Sequence, residues 1–267
     1  VVLRNLEFVR QCLLPNLDVH LISITDSWAQ YSVAGPNSRK LLQKIIDSPK
    51  DISNKNFPFM ACREITICGG VMARLFRISF SGELAYEIAV PARYGDSLFN
   101  ILLSEGKEFN AVPYGTEALG VMRIEKGHAA GNEINGQTTA QNLGLSRMIS
   151  KKADSIGNTL SEREGFNSAD IVILSGFKPV DKKQKIEAGS HFISLDKKPI
   201  MENDEGWMSS VAFSPTLGHH IGLGFIKNGN SRLGERVLAV NLLQNKKTEV
   251  EIVSPHFIDP EGIRQRG

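Results

Sequence analysis

The chain has 267 residues, of which 41% are hydrophobic and 22% are charged, and its formal net charge is +2. This composition is typical of a globular protein with a sizeable core, and the small charge argues against nucleic acid or an anionic membrane as a partner. No apolar run reaches the roughly 20 residues that a membrane-spanning helix requires.

The first 165 residues mix helical and strand patterns. Apolar residues at helical spacing near the start are followed by stretches of apolar alternation, which favour strands. The predicted strands are residues 20–25, 28–33, 61–68 and 72–80 and a strand around Glu87, and the predicted helices are 39–46, one opened by Pro91 and one over 116–126. Strands and helices do not alternate regularly, so the pattern favours an antiparallel α+β fold over a parallel sheet.

Two later stretches differ from the first part in composition and in the spacing of their apolar residues. GHAAGNEINGQTTAQNLG, residues 127–144, is too polar for us to expect it in a core. From about residue 170 the chain consists of short apolar segments between turns, among them IVILSGF, KPIME and RVLAVNLL. This spacing predicts a small β-barrel or jelly roll. We therefore expect an α+β domain over residues 1–165 and a β domain over residues 166–267.

The cysteines and the first residues bear on the context of the chain. Cys12, Cys62 and Cys68 are odd in number and widely spaced, which fits a reduced, cytoplasmic protein better than a disulfide framework. The chain starts at Val1 inside an apparent amphipathic helix. We expect a fragment of a longer polypeptide whose missing part would cover the apolar side of this helix.

One carboxylate stands in an unusual place. In FSGELAYEIAV the alternation of a strand puts Tyr86 and Ile88 on one face, the natural core face, and Ala85, Glu87 and Ala89 on the other. Either this second face is an ordinary solvated surface, or its small side chains leave room for a flat ligand that binds to the carboxylate.

Other kinds of site have weaker support. The six histidines include no pair at helical metal-ligand spacing, and neither a phosphate-binding glycine loop nor Gly-x-Ser-x-Gly occurs. We therefore expect no metal site. The basic stretch KPVDKKQK is either a solvated hairpin tip or a surface that steers an anionic ligand tail.

Three motifs carry a resemblance to a known family. FSGELAYEI resembles the Y-T-G-E-x-G-x-E-I segment of the folate-binding aminomethyltransferases, the glycine-cleavage T-protein family. VPYGTEALGVMRIEKGH resembles their G-x-x-A-x-x-x-L-R-L-E-x-G helix, and WMSSVAFSPTLGHHIGLGFI their terminal V-T-S-G-x-x-S-P-T-L segment. Order and spacing agree along the whole chain, which implies the aminomethyltransferase fold, truncated at its N-terminus, with a C-terminal barrel.

Within this superfamily SFSGELAYEIAVPARYGD and SPHFIDPEG carry a narrower resemblance, to the C-terminal region of heterotetrameric sarcosine oxidase alpha subunits. This resemblance implies an oxidoreductase acting on CH–NH donors, in which the fragment alone is inactive. The one-carbon unit of oxidised sarcosine passes to tetrahydrofolate, giving 5,10-methylenetetrahydrofolate and glycine. FAD, FMN and NAD are expected in the full enzyme but not in this fragment. The implied partners are the rest of the alpha chain, a flavin-bearing beta subunit and small subunits.

The resemblance also assigns folate-binding residues. They are Glu87, Phe80, Tyr86 and Arg123. Glu87 would accept two neighbouring N–H donors of the pterin edge, which a carboxylate can do in a bidentate fit. Phe80 stands where the family has tyrosine, so a hydroxyl is lost. Arg123 is either a structural residue in a salt bridge within the fold or a residue near the site.

The chain departs from the family pattern in helix 116–126, and the family's catalytic aspartate has no counterpart in it, so alternative functions stay open. Leu119 and Gly120 replace an Arg that contacts folate and its neighbouring Asp in the T-protein, which argues against the glycine-cleavage reaction itself. The family's catalytic aspartate is expected upstream of Val1, so no catalytic residue is assigned. The alternatives are a glycine-cleavage aminomethyltransferase, a folate-dependent demethylase, and a non-catalytic assembly module with the folate fold.

Overall fold

The computed structural model describes residues 2–150, 156–166 and 170–267. It contains two compact units: one holds residues up to 79, 83–113 and 264–267, and the other holds residues 80–82 and 114–263. The boundary expected between residues 165 and 166 stays a prediction. Each unit is described by itself below.

The first unit contains an antiparallel four-stranded sheet. Its elements are α1 (Val2–Leu13), β1 (Trp28–Ala34), α2 (Ser38–Ile45), β2 (Cys62–Ile67), β3 (Val71–Phe76), β4 (Ala85–Pro91) and α3 (Gly95–Gly106). The strand order is β1-β4-β3-β2, so β4 lies inside the sheet although it comes last in the chain. The predicted antiparallel arrangement is confirmed.

One face of this sheet forms the core of the unit. The alternation of β4 puts Tyr86 and Ile88 on that face, where both have no exposed surface. Leu42 of α2 and Leu98 of α3 belong to the same buried cluster. Removing such side chains from water stabilises the unit by roughly 1.5–3 kcal/mol each. This burial fixes which side chains of β4 face the opposite side.

The strand predicted over residues 20–25 is absent from the structure. Before β1 the chain forms only a short 3₁₀ turn, Thr25–Ser27. Ile22 is 79% exposed and Ile24 51%, so the apolar alternation there has no layer to pack against. An alternating pattern makes a strand only where a neighbouring strand pairs with it.

The second unit contains a closed barrel. Its elements are α4 (Thr116–Lys126), α5 (Ile156–Ser161), β5 (Val172–Pro179), β6 (His191–Ser194), β7 (Gly206–Ser214), β8 (His219–Lys227), β9 (Arg236–Asn241) and β10 (Lys246–Val253). The barrel closes in the order β10-β5-β8-β7-β6-β9. The predicted barrel is confirmed, whereas the predicted KPIME strand is wrong: that segment contains a 3₁₀ turn, Met201–Asn203.

The barrel interior is filled by apolar side chains. Phe177 and Phe192 stack with ring centroids 4.1 Å apart, and neither ring has exposed surface. Strand β7 starts at Gly206, whose φ of +146° is a conformation that L side chains rarely adopt. A Cβ atom at this position would lie 1.9 Å from the carbonyl oxygen of Phe225.

We expect Gly206→Ala to lower the free energy of unfolding by roughly 2–4 kcal/mol, because it adds both backbone strain and a backbone clash. Urea unfolding followed by circular dichroism measures this loss. Gly136→Ala is the matched control, since a Cβ there meets no atom within 4 Å. Equal stability losses in the two variants would contradict the close packing of β7 on β8.

Candidate functional site

Glu87 lies in the middle of β4 on the face opposite to the core. Its side chain is half-buried, and the Nε2 group of Gln30 on β1 donates a hydrogen bond to its Oε2 atom. The other oxygen, Oε1, accepts no hydrogen bond from any residue that the structure describes. Within the described ranges no cation pairs with Glu87 either. The carboxylate therefore keeps most of its acceptor capacity for a ligand.

The surroundings of Glu87 are less open than the flanking alanines suggest. Arg74 of β3 is paired in register with Ala89, and its guanidinium stacks on the ring of Trp28, 3.9 Å from the ring centroid. Since Trp28 belongs to β1 on the other side of β4, the Arg74 side chain crosses over β4. Ala89 is only 3% exposed. Its small side chain gives Arg74 the room to cross.

Phe76 is a neighbour of Glu87 that the sequence analysis missed. The two residues are directly opposite each other in the β3–β4 register, so their side chains lie on the same face with Cβ atoms roughly 4.5–5.5 Å apart. Phe76 is partly exposed. An aromatic ring thus stands beside the carboxylate. The signal was hidden because strands β3 and β4 are joined by a long connection, which leaves the register open.

Tyr86 points to the core face, away from Glu87. It has no exposed surface, its ring stacks on Phe57 with centroids 6.4 Å apart, and its hydroxyl accepts a hydrogen bond of 2.8 Å from Nε of Arg39. The structure assigns Tyr86 a packing role in the first unit. The folate contact expected of it stays a prediction.

The remaining two predicted site residues belong to the second unit. Phe80 is 41% exposed and stacks on His128 at a centroid distance of 6.0 Å. Its carbonyl oxygen lies 3.0 Å from Nδ1 of His128. Burial lowers the pKa of His128, and the nearby charge of Lys126 acts in the same direction while the Phe80 carbonyl opposes it. Burial of His128 therefore favours the uncharged form of its imidazole.

The end of α4 positions both Arg123 and His128. Gly127 has a φ of +78°, and the N–H groups of Gly127 and His128 donate to the carbonyl oxygens of Ile124 and Arg123. This pair of hydrogen bonds forms a Schellman motif, which ends a helix on a left-handed glycine. The predicted helix over Thr116–Lys126 is confirmed at both bounds.

Arg123 forms the salt bridge within the fold that the sequence allowed as one alternative. Its Nη1 donates to Oε2 of Glu133 at 2.9 Å, and its Nη2 donates to Oγ of Ser210 at 2.7 Å. Its side chain is 10% exposed. Contact between Arg123 and folate stays a prediction.

Glu133 is the partner that the sequence analysis missed. It has no exposed surface, although it lies in the stretch expected to be too polar for a core, so that expectation is wrong. Ser209 and Ser210 of β7 donate to its Oε1 at 2.5 and 2.6 Å, and the Ala130 N–H donates to its Oε2 at 2.8 Å. With Arg123 these donors supply four hydrogen bonds, which is how a carboxylate can be buried.

The donors also set the charge state of Glu133. Burial raises the pKa of its carboxyl group, but the hydrogen bonds from Ser209, Ser210 and Ala130 and the charge of Arg123 outweigh burial and hold the pKa below the ordinary 4.5. Glu133 is therefore ionised in the folded protein at neutral pH.

The described residues offer neither a metal cluster nor a membrane-spanning helix. Among the described residues, no group of three or more His, Cys, Asp or Glu side chains could hold a metal ion. No helix in the described part of the chain is both long and apolar enough to span a bilayer. The three cysteines are unpaired and exposed.

Family comparisons agree with this architecture. The model described as GCVT N-terminal domain matches residues 2–153, and the model described as glycine cleavage T-protein C-terminal barrel domain matches residues 174–259. The chain belongs to the glycine-cleavage T-protein family. The crystal structure of glycine cleavage system aminomethyltransferase T from Bartonella henselae has a TM-score of 0.69 at 21% identity, covering 87% of this chain and 60% of that one. This likeness shows the fold.

Two curated relatives are similar to this chain over most of its length. Sarcosine oxidase subunit alpha of Rhizobium meliloti (strain 1021) is 46% identical over 265 residues, which are 98% of this chain and 27% of that protein. An aminomethyltransferase of Thermoanaerobacter sp. (strain X514) is 27% identical over 244 residues, which are 90% of this chain and 62% of that protein. The chain thus spans about a quarter of the first relative and less than two thirds of the second.

We expect Glu133→Gln to destabilise the fold by roughly 3–5 kcal/mol at pH 7, because it leaves the buried Arg123 charge without its partner. The folded pKa of Glu133 lies below its ordinary 4.5, so its stabilisation is present above pH 4.5 and is lost as the pH falls through the folded pKa. The stability difference between wild type and variant should therefore shrink in acid.

Urea unfolding of both proteins at pH 7 and in acid measures this difference. Glu117→Gln is the control, since Glu117 is an exposed residue of the same helix as Arg123. A difference that stays constant as the pH is lowered would show that the ionised carboxylate does not stabilise the network.

Proposed function

We propose that this chain is the tetrahydrofolate-binding part of a sarcosine oxidase alpha subunit. The identity of 46% over 98% of the chain supports this proposal. The observation that carries it in the structure is Glu87, a half-buried carboxylate beside an aromatic ring on the outer face of a sheet, whose Oε1 accepts no hydrogen bond from the residues that the structure describes. Folate-related one-carbon transfer follows from the family to which the chain belongs.

The ligand chemistry fits this carboxylate. The pterin ring of tetrahydrofolate presents an N–H and an exocyclic NH₂ group side by side, and a carboxylate can accept both donors. Phe76 offers an apolar surface next to the acceptor atoms, against which a flat ring can pack. In this proposal Glu87 selects the pterin by its donor pattern and orients the whole folate.

The reaction moves one carbon without a redox change in this part of the protein. Oxidation of sarcosine to an imine is the chemistry that a flavin supplies on another part of the enzyme. The two folate nitrogens then bond to the imine carbon, and the bond from this carbon to the glycine nitrogen breaks. The two protons lost by the folate nitrogens go to that nitrogen. The products are 5,10-methylenetetrahydrofolate and glycine.

The contribution of this chain is positioning and exclusion of water. An imine hydrolyses to formaldehyde unless the folate nitrogen meets it first, so holding the folate in one orientation raises the yield of transfer. In the proposed assembly, FAD, FMN and NAD are bound by the rest of the alpha chain and by partner subunits. The proposed location is the cytoplasm.

We expect Glu87→Gln to weaken binding of folinate, a stable tetrahydrofolate derivative, by roughly 2–3 kcal/mol, because the charged acceptor is replaced by an amide that also points a donor at the pterin donors. Isothermal titration with the wild-type protein and the variant measures the change. Glu108→Gln is the control, because Glu108 is an exposed glutamate of the same unit that pairs with Lys44.

The titration also separates the proposed function from a pure assembly role. A wild-type chain that binds no folinate would overturn the proposal in favour of a non-catalytic module. Unchanged affinity in the Glu87 variant would show that folate binds elsewhere on the protein.

A further inference from the structure

We propose that Gln30 is a positioning residue that holds the Glu87 carboxylate in the plane in which a ligand with two adjacent N–H donors can bind it. The inference rests on the proposed function of Glu87 and extends the site to a second strand. The contact that motivates it is the hydrogen bond from Nε2 of Gln30 to Oε2 of Glu87.

The register explains why Gln30 can make this contact. Ser32 is the residue of β1 directly opposite Glu87, and Gln30 is opposite Ala89, one pair farther along the same face. The Ser32 side chain is short and makes no hydrogen bond to Glu87. Gln30 approaches Glu87 diagonally, a distance that a long side chain spans.

The choice of a neutral amide matters for the ligand. Each carboxylate oxygen has two lone pairs, so Gln30 occupies one of about four acceptor positions and fixes the orientation of the group. The nearby cation, Arg74, is engaged elsewhere: it stacks on Trp28 and its Nε lies 3.6 Å from Glu64. Among the described residues, Glu87 is thus held by Gln30 and has no ion-pair partner. A ligand that donates two N–H groups meets a charged acceptor already in place.

Preorganisation predicts the size of the effect. A glutamate side chain loses considerable rotamer freedom when it is fixed, and a partner that fixes it before binding removes part of that cost from the binding step. We therefore expect loss of the Gln30 donor to weaken the ligand roughly ten-fold, with most of the loss in the dissociation rate.

The experiment is a double-mutant cycle in the full-length protein that contains this chain. Folinate is titrated into wild type, Gln30→Met, Glu87→Gln and the double variant by calorimetry at one pH and salt concentration. Gln30→Met keeps the length of the side chain and removes the donor. Ser32→Ala is the matched control on the same strand and face. Thermal unfolding of each variant reports whether the sheet is intact.

We expect Gln30→Met to lower affinity roughly ten-fold in the wild-type background and to have no further effect in the Glu87→Gln background, because a positioning residue acts only through the group it holds. Ser32→Ala should bind like wild type. A purely structural Gln30 would instead lower affinity equally in both backgrounds, and that additive result would overturn the inference.

The outcomes also separate this inference from the proposed function. If Glu87→Gln weakens folinate binding and Gln30→Met does not, Gln30 has no positioning role while the function of Glu87 stands. If folinate does not bind to the wild type, or binds to Glu87→Gln unchanged, the proposed site and this inference are both wrong.

Discussion

The two-residue period of β4 is the constraint on which the candidate site depends. Tyr86 and Ile88 are removed from water on one face of the sheet, and this burial forces Glu87 onto the other. A slip of one residue in register would bury Glu87 in the apolar core without a counter-charge, at a cost of several kcal/mol. The hydrophobic core of the first unit therefore fixes both the presence and the direction of the carboxylate, before any ligand is considered.

Two glutamates of this protein show how hydrogen bonding decides what a carboxylate does. Glu133 accepts four hydrogen bonds, from Arg123, Ser209, Ser210 and Ala130. Its acceptor capacity is used within the fold, so it stabilises the second unit. Glu87 accepts one hydrogen bond from Gln30, and within the described residues its second oxygen accepts none. The number of acceptor positions left over, rather than the residue type, separates a structural carboxylate from one that can bind a ligand.

The departures from the T-protein motif fit this division of roles. Arg123 lies at the position of the Arg in the family's Arg-Leu-Glu motif and forms an ion pair with Glu133, so this part of the helix contributes a salt bridge within the second unit. Leu119 and Gly120 lie on the same helix and have lost the charged groups of the motif. In the proposed function, a folate domain that receives its carbon as an imine has no need to bind an aminomethyl carrier.

The sequence by itself determined the fold class, the barrel and the helix Thr116–Lys126, because glycines at both helix ends and the apolar periodicities are local signals. It also singled out Glu87 from the alternation of one strand. Only the tertiary structure decided which residues surround the two glutamates. Phe76 and Gln30 reach Glu87 through strand pairing. Glu133 can be buried because Ser209 and Ser210, which are 76 and 77 residues away in the chain, donate hydrogen bonds to it. Residues 20–25 do not form a strand because no neighbouring strand pairs with them in the described part of the chain. Pairing and hydrogen-bond saturation depend on residues distant in the chain, and no local pattern encodes them.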